Sequence, residues 1–206
     1  MRLPGRRVLR TIRYMPERTF HPIRRSAARR RVSKRRPEKL LVLCLGNICR
    51  SPFAEAALRR ELRRRGLEAV EVRSAGFVLP GRMSPTEARD AARARDLDLG
   101  AHRSAVVTPD LAGWADLVLV MSRAQRRRVH ALYGRGVPVE LLGDFDPGPI
   151  ERRAIIDPVE RPREVFERVY DRIASCCASL ADCLADPRGS ARAASPPATS
   201  PPAAAR

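Results

Sequence analysis

The chain lacks any long apolar run. No stretch of 18 apolar residues occurs in its 206 residues, so we expect no membrane-spanning helix, and no hydrophobic core of a secretory signal is present. Five cysteines do not form the pattern of a secreted disulfide framework, and we expect a cytoplasmic protein in a reducing compartment. No spacing resembles a zinc or calcium site, so neither a metal nor a cofactor is expected.

Charge is distributed unevenly along the chain. The formal net charge is +18, and residues 1–39 contribute +13 of it through 15 basic and two acidic side chains. Residues 40–186 carry only +2. The basic character therefore belongs mainly to the N-terminal segment and not to the part of the chain that can form a core.

Composition also suggests the domain boundaries. Residues 1–38 contain too few apolar residues to bury a core, so we interpret them as a basic, disordered arm that is mobile or only locally helical. Residues 187–206 are a Pro/Ala/Ser-rich tail, also expected to be disordered. The folded domain is expected over residues 39–186.

The domain alternates short apolar runs with helical patterns. The runs lie at 40–44, 69–73, 116–121 and 137–142, and the helical patterns at 52–66, 84–96, 122–132 and 162–185. This succession predicts an α/β fold, a doubly wound and mostly four-stranded parallel sheet with helices on both faces. In such folds ligands bind at the carboxyl ends of the strands.

One loop at such an end carries reactive side chains. Residues 44–52 read Cys-Leu-Gly-Asn-Ile-Cys-Arg-Ser-Pro, directly after the apolar run 40–43. Backbone N–H groups of a tight turn and the start of a helix make an anion site, which favours the thiolate form of Cys44 beside a bound phosphate. The planar fork of Arg50 can hold two phosphate oxygens. The loop is thus typical of a phosphate site with a cysteine nucleophile.

Several segments resemble one family, the low-molecular-weight protein tyrosine phosphatases, over residues 39–185. Besides the loop they are Arg-Ser-Ala-Gly at 73–76, Ala-His-Arg-Ser at 101–104, the strand 115–121, Leu-Leu-Gly-Asp-Phe-Asp-Pro at 141–147 and Asp-Pro at 157–158. The resemblance implies a phosphoric monoester hydrolase that dephosphorylates tyrosine-phosphorylated proteins through a phosphocysteine.

The resemblance also implies roles for individual residues. Cys44 is the nucleophile, Arg50 the phosphate clamp and Asp157 the acid. The phosphate-binding loop consists of Leu45, Gly46, Asn47, Ile48, Cys49 and Arg50. Supporting residues are Ser51, which donates to the sulfur or else caps the helix, and Asn47, which in the family bonds a serine and a histidine that correspond here to Ser74 and His102.

The acid is ambiguous because two Asp-Pro pairs occur. Asp157 precedes the last helix at the position that the family uses, whereas Asp146 belongs to a separately matched stretch. We favour Asp157. Val159 and Glu160 follow it where family members often carry aromatic residues.

The remaining cysteines have less specific roles. Cys49 could form a disulfide with Cys44 under oxidation or simply pack as an apolar side chain. Cys176, Cys177 and Cys183 lie on the last predicted helix and are interpreted as core or surface thiols.

Three alternatives stay open. Arsenate reductases share the loop but need further redox cysteines, and none lies between Cys49 and Cys176. Protein arginine phosphatases typically carry threonine where this chain has Ile48, and an isoleucine favours an aryl phosphate. A basic-arm binding protein would use residues 1–38 to contact a polyanion or a membrane surface, although a misassigned start codon explains that arm equally well.

Overall fold

A four-stranded parallel sheet forms the centre of the protein. The computed structural model describes residues 17–186. The strands are β1 (Lys39–Leu43), β2 (Glu71–Ala75), β3 (Leu117–Val120) and β4 (Val139–Leu141), in the spatial order β2-β1-β3-β4. In register, Leu40 of β1 lies opposite Val72 of β2 and Leu117 of β3.

Six α-helices and one 3-10 helix accompany the sheet in the described part of the chain. The α-helices are α1 (His21–Arg35), α2 (Arg50–Arg63), α3 (Thr86–Arg93), α4 (Pro109–Trp114), α5 (Arg123–Tyr133) and α6 (Arg163–Ala185), and the 3-10 helix is Leu142–Phe145. The four predicted strands and four predicted helices are confirmed, with ends within three residues of expectation. Helix α4 was not predicted, and for the residues of α1 only local helicity within a mobile arm was expected.

The sheet is covered on both faces, as expected for a doubly wound fold. Successive strand residues point to opposite faces, so Leu40 and Val42 pack with α2 and α6, while Leu41 and Leu43 pack with Val129 of α5 and its neighbours. The buried strands read as continuous apolar runs because neither face meets water.

The N-terminal segment differs from the expected arm. Residues 21–35 form helix α1, which packs against α6 and the 3-10 helix. Ala28 and Val32, one turn apart, are buried in the main core. Two small apolar residues suffice because α6 presents an apolar face to them. Residues 1–16 and 187–206 lie outside the described residues, so the expectation for them remains a prediction.

None of the described helices is long and apolar enough to cross a membrane.

Candidate active site

The site is built on the loop between β1 and α2. Cys44 follows the last residue of β1, and α2 begins at Arg50 with no side-chain cap. The Cys44 sulfur accepts two hydrogen bonds, from the Asn47 backbone N–H at 3.2 Å and from the Ser51 hydroxyl at 3.0 Å. Ser51 lies inside α2, so it serves the sulfur and not the helix N-cap. Two donors aimed at one sulfur stabilise negative charge on it.

Asn47 holds the loop in shape. Its backbone is left-handed, with φ of 51°, and its side chain is fully buried. The amide nitrogen donates to the hydroxyls of Ser51 and Ser74, both at 2.9 Å, and the amide oxygen accepts from the Ala105 N–H at 2.8 Å. The backbone oxygen of Asn47 lies 2.7 Å from Nε2 of His102. The structure thus joins Asn47 to both Ser74 and His102.

The close packing around Gly76 explains why the stretch at 73–76, which forms the end of β2 and the residue after it, ends in glycine. A Cβ atom placed there would lie 2.8 Å from both the Asn47 nitrogen and the Leu45 oxygen, which is too close for any side chain. The next residue, Phe77, donates its N–H to the Leu45 oxygen at 2.8 Å. The end of β2 therefore packs directly against the backbone of the reactive loop and fixes its position.

Arg50 reaches across the site from the first turn of α2. Its side chain is almost fully buried, and its Nη1 donates to the Ile155 carbonyl at 3.2 Å while its Nη2 pairs with the Asp157 carboxylate. Its Nε is buried and has no hydrogen-bond partner within residues 17–186. A buried unpaired guanidinium donor is costly unless an anion uses it, which fits a phosphate site.

The two candidate acids occupy different environments. Asp157 lines the pocket with Cys44 and Arg50. Asp146 is instead held by the Arg172 guanidinium at 2.8 Å and by the Gly148 N–H at 3.2 Å, and it does not line that pocket. The pocket therefore contains the Asp157 carboxylate, whereas Asp146 is held in an ion pair with Arg172 and does not line it.

The pocket is small and partly apolar. Its volume is about 120 Å³, and its apolar walls come from Leu45, Ile48, Val78 and Val159. The guanidinium of Arg82 also lines it. Val78 and Arg82 were missed from the sequence because they belong to an irregular loop whose path depends on its contact with Ser104, which accepts from the Arg82 N–H.

The cysteines beyond Cys44 are all free and buried. Burial raises the pKa of the Cys49 thiol well above its ordinary value, and the Cys49 carbonyl accepts from the Tyr170 hydroxyl at 3.2 Å. Cys176 and Cys177 lie in the core, where burial raises the pKa of both thiols. Of the two expected alternatives, core or surface, the structure places both thiols in the core. A disulfide between Cys44 and Cys49 stays a prediction.

No cluster of three or more potential metal ligands occurs among the described residues.

Known proteins share this arrangement. The family model for low molecular weight phosphotyrosine protein phosphatase matches residues 39–188. A curated relative from Ralstonia solanacearum, described as a probable low molecular weight protein-tyrosine-phosphatase EpsP, is 36% identical over 62% of this chain and 83% of its own.

Solved structures agree with the sequence relatives. The tyrosine phosphatase Wzb from Escherichia coli K30 in complex with sulphate superposes with a TM-score of 0.62 at 30% identity, covering 71% of this chain and 97% of its own. A YwlE arginine phosphatase with a phosphorylated active-site serine in place of cysteine superposes with a TM-score of 0.64 at 29% identity, covering 70% of this chain and 93% of its own. With the match spanning the whole sheet and the reactive loop, this chain belongs to the low molecular weight phosphotyrosine protein phosphatase family.

Proposed function

We propose that the protein hydrolyses phosphotyrosine in proteins through a phosphocysteine on Cys44. The observation that carries this proposal is the Cys44 sulfur, which receives two hydrogen bonds and shares a pocket with the almost fully buried guanidinium of Arg50. Family membership supports the chemistry, and the names of the relatives support the substrate.

In the first step the phosphoryl group binds in the loop. The Arg50 guanidinium and the loop N–H groups of residues 45–50 bind its oxygens, and charge stabilisation of this kind is usually the largest catalytic contribution. The phosphate displaces the Asp157 carboxylate from Arg50, and this carboxylate takes up a proton from solvent. The Cys44 thiolate then forms the S–P bond as the P–O ester bond breaks, and the protonated Asp157 gives its proton to the leaving phenolate oxygen.

In the second step water hydrolyses the phosphocysteine. The Asp157 carboxylate takes a proton from the attacking water, the P–O bond forms and the S–P bond breaks. The Ser51 hydroxyl, 3.0 Å from the sulfur, stabilises Cys44 as a leaving thiolate. Inorganic phosphate departs, and Asp157 is again protonated for the next turnover.

The pocket walls favour a phenyl ring over a guanidinium. Ile48 is 5% exposed and, with Val78 and Val159, offers an apolar surface to an aromatic substrate. A phosphoarginine would place additional N–H donors against these side chains, which cannot accept hydrogen bonds. Phosphoarginine is the second candidate, supported by the structural similarity to YwlE.

The partners and location follow from the same reasoning. Tyrosine-phosphorylated proteins are the proposed macromolecular substrates, and the basic N-terminal segment provides a contact for polyanions. Five free thiols are consistent with a cytoplasmic enzyme.

A substrate panel tests the proposal. Hydrolysis of phosphotyrosine, phosphoarginine and phosphoserine peptides is measured alongside arsenate reduction, each with and without a chelator. We expect phosphotyrosine hydrolysis that a chelator leaves unchanged, a phosphocysteine trapped by acid quenching, and no turnover in Cys44→Ser. Cys183→Ala, which removes a thiol far along the chain, serves as the matched control. Turnover in Cys44→Ser would contradict the mechanism, and faster phosphoarginine hydrolysis would reverse the substrate assignment.

A further inference from the structure

A second concave site lies between helix α1 and the edge of the sheet. It is a groove of about 530 Å³, bounded on one side by α1 and on the other by α5, the loop that follows it and strand β4. We call it the basic groove. No residue in the described part of the chain lines both this groove and the catalytic pocket.

Basic side chains line both walls of the basic groove. Arg24, Arg31 and Arg35 lie at positions i, i+7 and i+11 of α1, which places them along one helix face. The opposite wall carries Arg126, His130 and Arg135. The stripe from Arg24 to Arg35 is about 16 Å long at 1.5 Å per residue, so the groove is elongated.

The acids near the groove neutralise only part of this charge. Glu140, the one acid that lines it within residues 17–186, is paired with Arg31 through two hydrogen bonds. Asp144 pairs in the same way with Arg153 at the floor. The guanidinium groups of Arg35, Arg126 and Arg135 have no ion pair among the described residues.

Arg24 is in an unfavourable environment as the structure stands. Its Nε is buried without a hydrogen-bond partner in the described part of the chain, and its Nη2 donates to the Glu17 carbonyl. Burial lowers the pKa of Arg24, and the positive charge of nearby Arg153 lowers it further. An anion in the groove would give the buried donor a partner and offset the repulsion.

We propose that the basic groove binds inorganic polyphosphate, a linear chain of phosphate groups. Arginine forks bind phosphate oxygens in pairs, and two basic walls match an extended anion. A concave groove is a poor match for a flat membrane surface. No aromatic side chain lines it, so no platform for base stacking is present in the described residues, and recognition would be of phosphate and not of sequence.

The experiment compares a variant that lacks three unpaired cations of the groove with a variant that lacks three cations outside it. The groove variant is Arg35→Gln, Arg126→Gln and Arg135→Gln. The control is Arg30→Gln, Lys34→Gln and Arg127→Gln, which removes equal charge from exposed positions on the same two helices that do not line the groove. Both are made in the full chain carrying Cys44→Ser, with benzylphosphonate present to occupy the catalytic pocket. Thermal unfolding of each protein checks that the fold is retained.

Binding of polyphosphate, single-stranded RNA, polyglutamate and phosphatidylglycerol vesicles is measured over a range of salt concentrations. We expect the groove variant to bind polyphosphate at least tenfold more weakly than the control. Its salt dependence should be shallower by about two in the log–log slope, taking for each lost phosphate contact the value of about 0.7 that applies to a single nucleic acid strand. Groove-dependent binding that is tighter for RNA than for polyphosphate would overturn the choice of ligand. Equal losses in groove and control variants would overturn the proposal, as would groove-dependent binding of polyglutamate or vesicles in preference to phosphate chains.

Discussion

At the scale of single residues, Asn47 links every part of the reactive loop. It contacts the Cys44 sulfur through its N–H, Ser51 and Ser74 through its amide nitrogen, and Ala105 through its amide oxygen. Its positive φ is a conformation that asparagine tolerates better than most residues. One side chain therefore holds the turn together and joins it to the end of β2 and to the loop that contains Ala105.

Two substitutions of Asn47 separate the contribution of its side-chain hydrogen bonds from that of its backbone conformation. Asn47→Ala leaves the Ala105 N–H without its acceptor and places alanine in the left-handed region, and we expect a loss of about 2–4 kcal/mol in the free energy of unfolding. Asn47→Gly loses the same hydrogen bonds without the steric cost, so its loss should be smaller by about 1 kcal/mol. Urea denaturation measures both. Equal losses would show that the backbone conformation contributes nothing.

The assignment of the acid is also decided at the residue scale. We expect Asp157→Ala to lower kcat by about 10²–10⁴-fold for substrates with poor leaving groups, and by less for an activated aryl ester whose phenolate needs no proton. Asp146→Ala should instead lower stability, since it breaks the ion pair with Arg172, and leave the leaving-group dependence unchanged. A series of aryl phosphates of graded phenol pKa measures the difference. The assignment is wrong if the two variants show the opposite pattern.

At the scale of elements, helix α1 is the main addition to the fold that the family match describes, because that match begins at residue 39. Its first residue and the turn that precedes it contact the segment that leads to Asp157. The Glu17 carboxylate accepts the Arg153 N–H at 2.7 Å, and His21 Nε2 lies 2.9 Å from the Asp146 carbonyl oxygen. The segment continues to Ile155, whose N–H donates to Met121 at the end of β3. Helix α1 and the turn before it therefore support the segment that carries Asp157.

Shortening a buried side chain of α1 should lower stability more than shortening an exposed one. Val32 is 2% exposed in the core, and Val32→Ala should cost about 1–3 kcal/mol of unfolding free energy through lost burial and the cavity left behind. Ile23, 66% exposed on the same helix, is the matched control, and Ile23→Ala should change stability by less than about 0.5 kcal/mol. Thermal or urea unfolding measures both. Indistinguishable variants would mean that α1 does not pack on the domain in solution.

At the scale of the whole molecule, several buried thiols make stability depend on pH. Burial raises the pKa of Cys49, Cys176 and Cys177 well above the ordinary value of 9.0, and it raises the pKa of Tyr170 as well. In the folded protein these groups stay protonated, whereas in the unfolded chain the thiols ionise near pH 9. Their contribution to stability is complete below that pH and is lost as the pH rises.

The resulting prediction concerns unfolding in mild alkali. Above pH 9 the free energy of unfolding should fall by up to about 1.4 kcal/mol per pH unit for each of these thiols. Cys177→Ala removes one such group. The free energy of unfolding of this variant should therefore fall less steeply with pH, by up to about 1.4 kcal/mol per pH unit. Urea titrations between pH 7 and pH 10.5 measure the slopes. A stability that stays constant between pH 8.5 and pH 10.5 would contradict the raised pKa values.

Much of the site could be predicted from the sequence because its chemistry is local. Cys44, Asn47, Arg50 and Ser51 lie within eight consecutive residues, so the turn between a strand and a helix is enough to bring them close together. The alternation of apolar runs and helical patterns likewise predicted a parallel sheet, since buried strands and amphipathic helices differ in their periodicity.

Helix α1 and the rest of the pocket depended on distant contacts. Residues 21–35 offer a buried face of little more than Ala28 and Val32, which no periodicity could distinguish from a solvated basic helix until α6 was placed against it. Val78 and Arg82 reach the pocket only because an irregular loop folds back on Ser104.

The sequence by itself predicted Cys44 as the nucleophile, Arg50 as the phosphate clamp and the succession of four strands and four of the helices, because each is encoded by neighbours in the chain. It favoured Asp157 over Asp146 only through the resemblance, since both stand in identical Asp-Pro pairs, and the tertiary structure gives the two carboxylates different surroundings. Arg172 of α6 engages one of them, while the hydrogen bond from Ile155 to Met121 places the other beside Arg50. Which carboxylate lines the pocket depends on charges that lie far apart in sequence, and such pairings form only when the helices pack on the sheet.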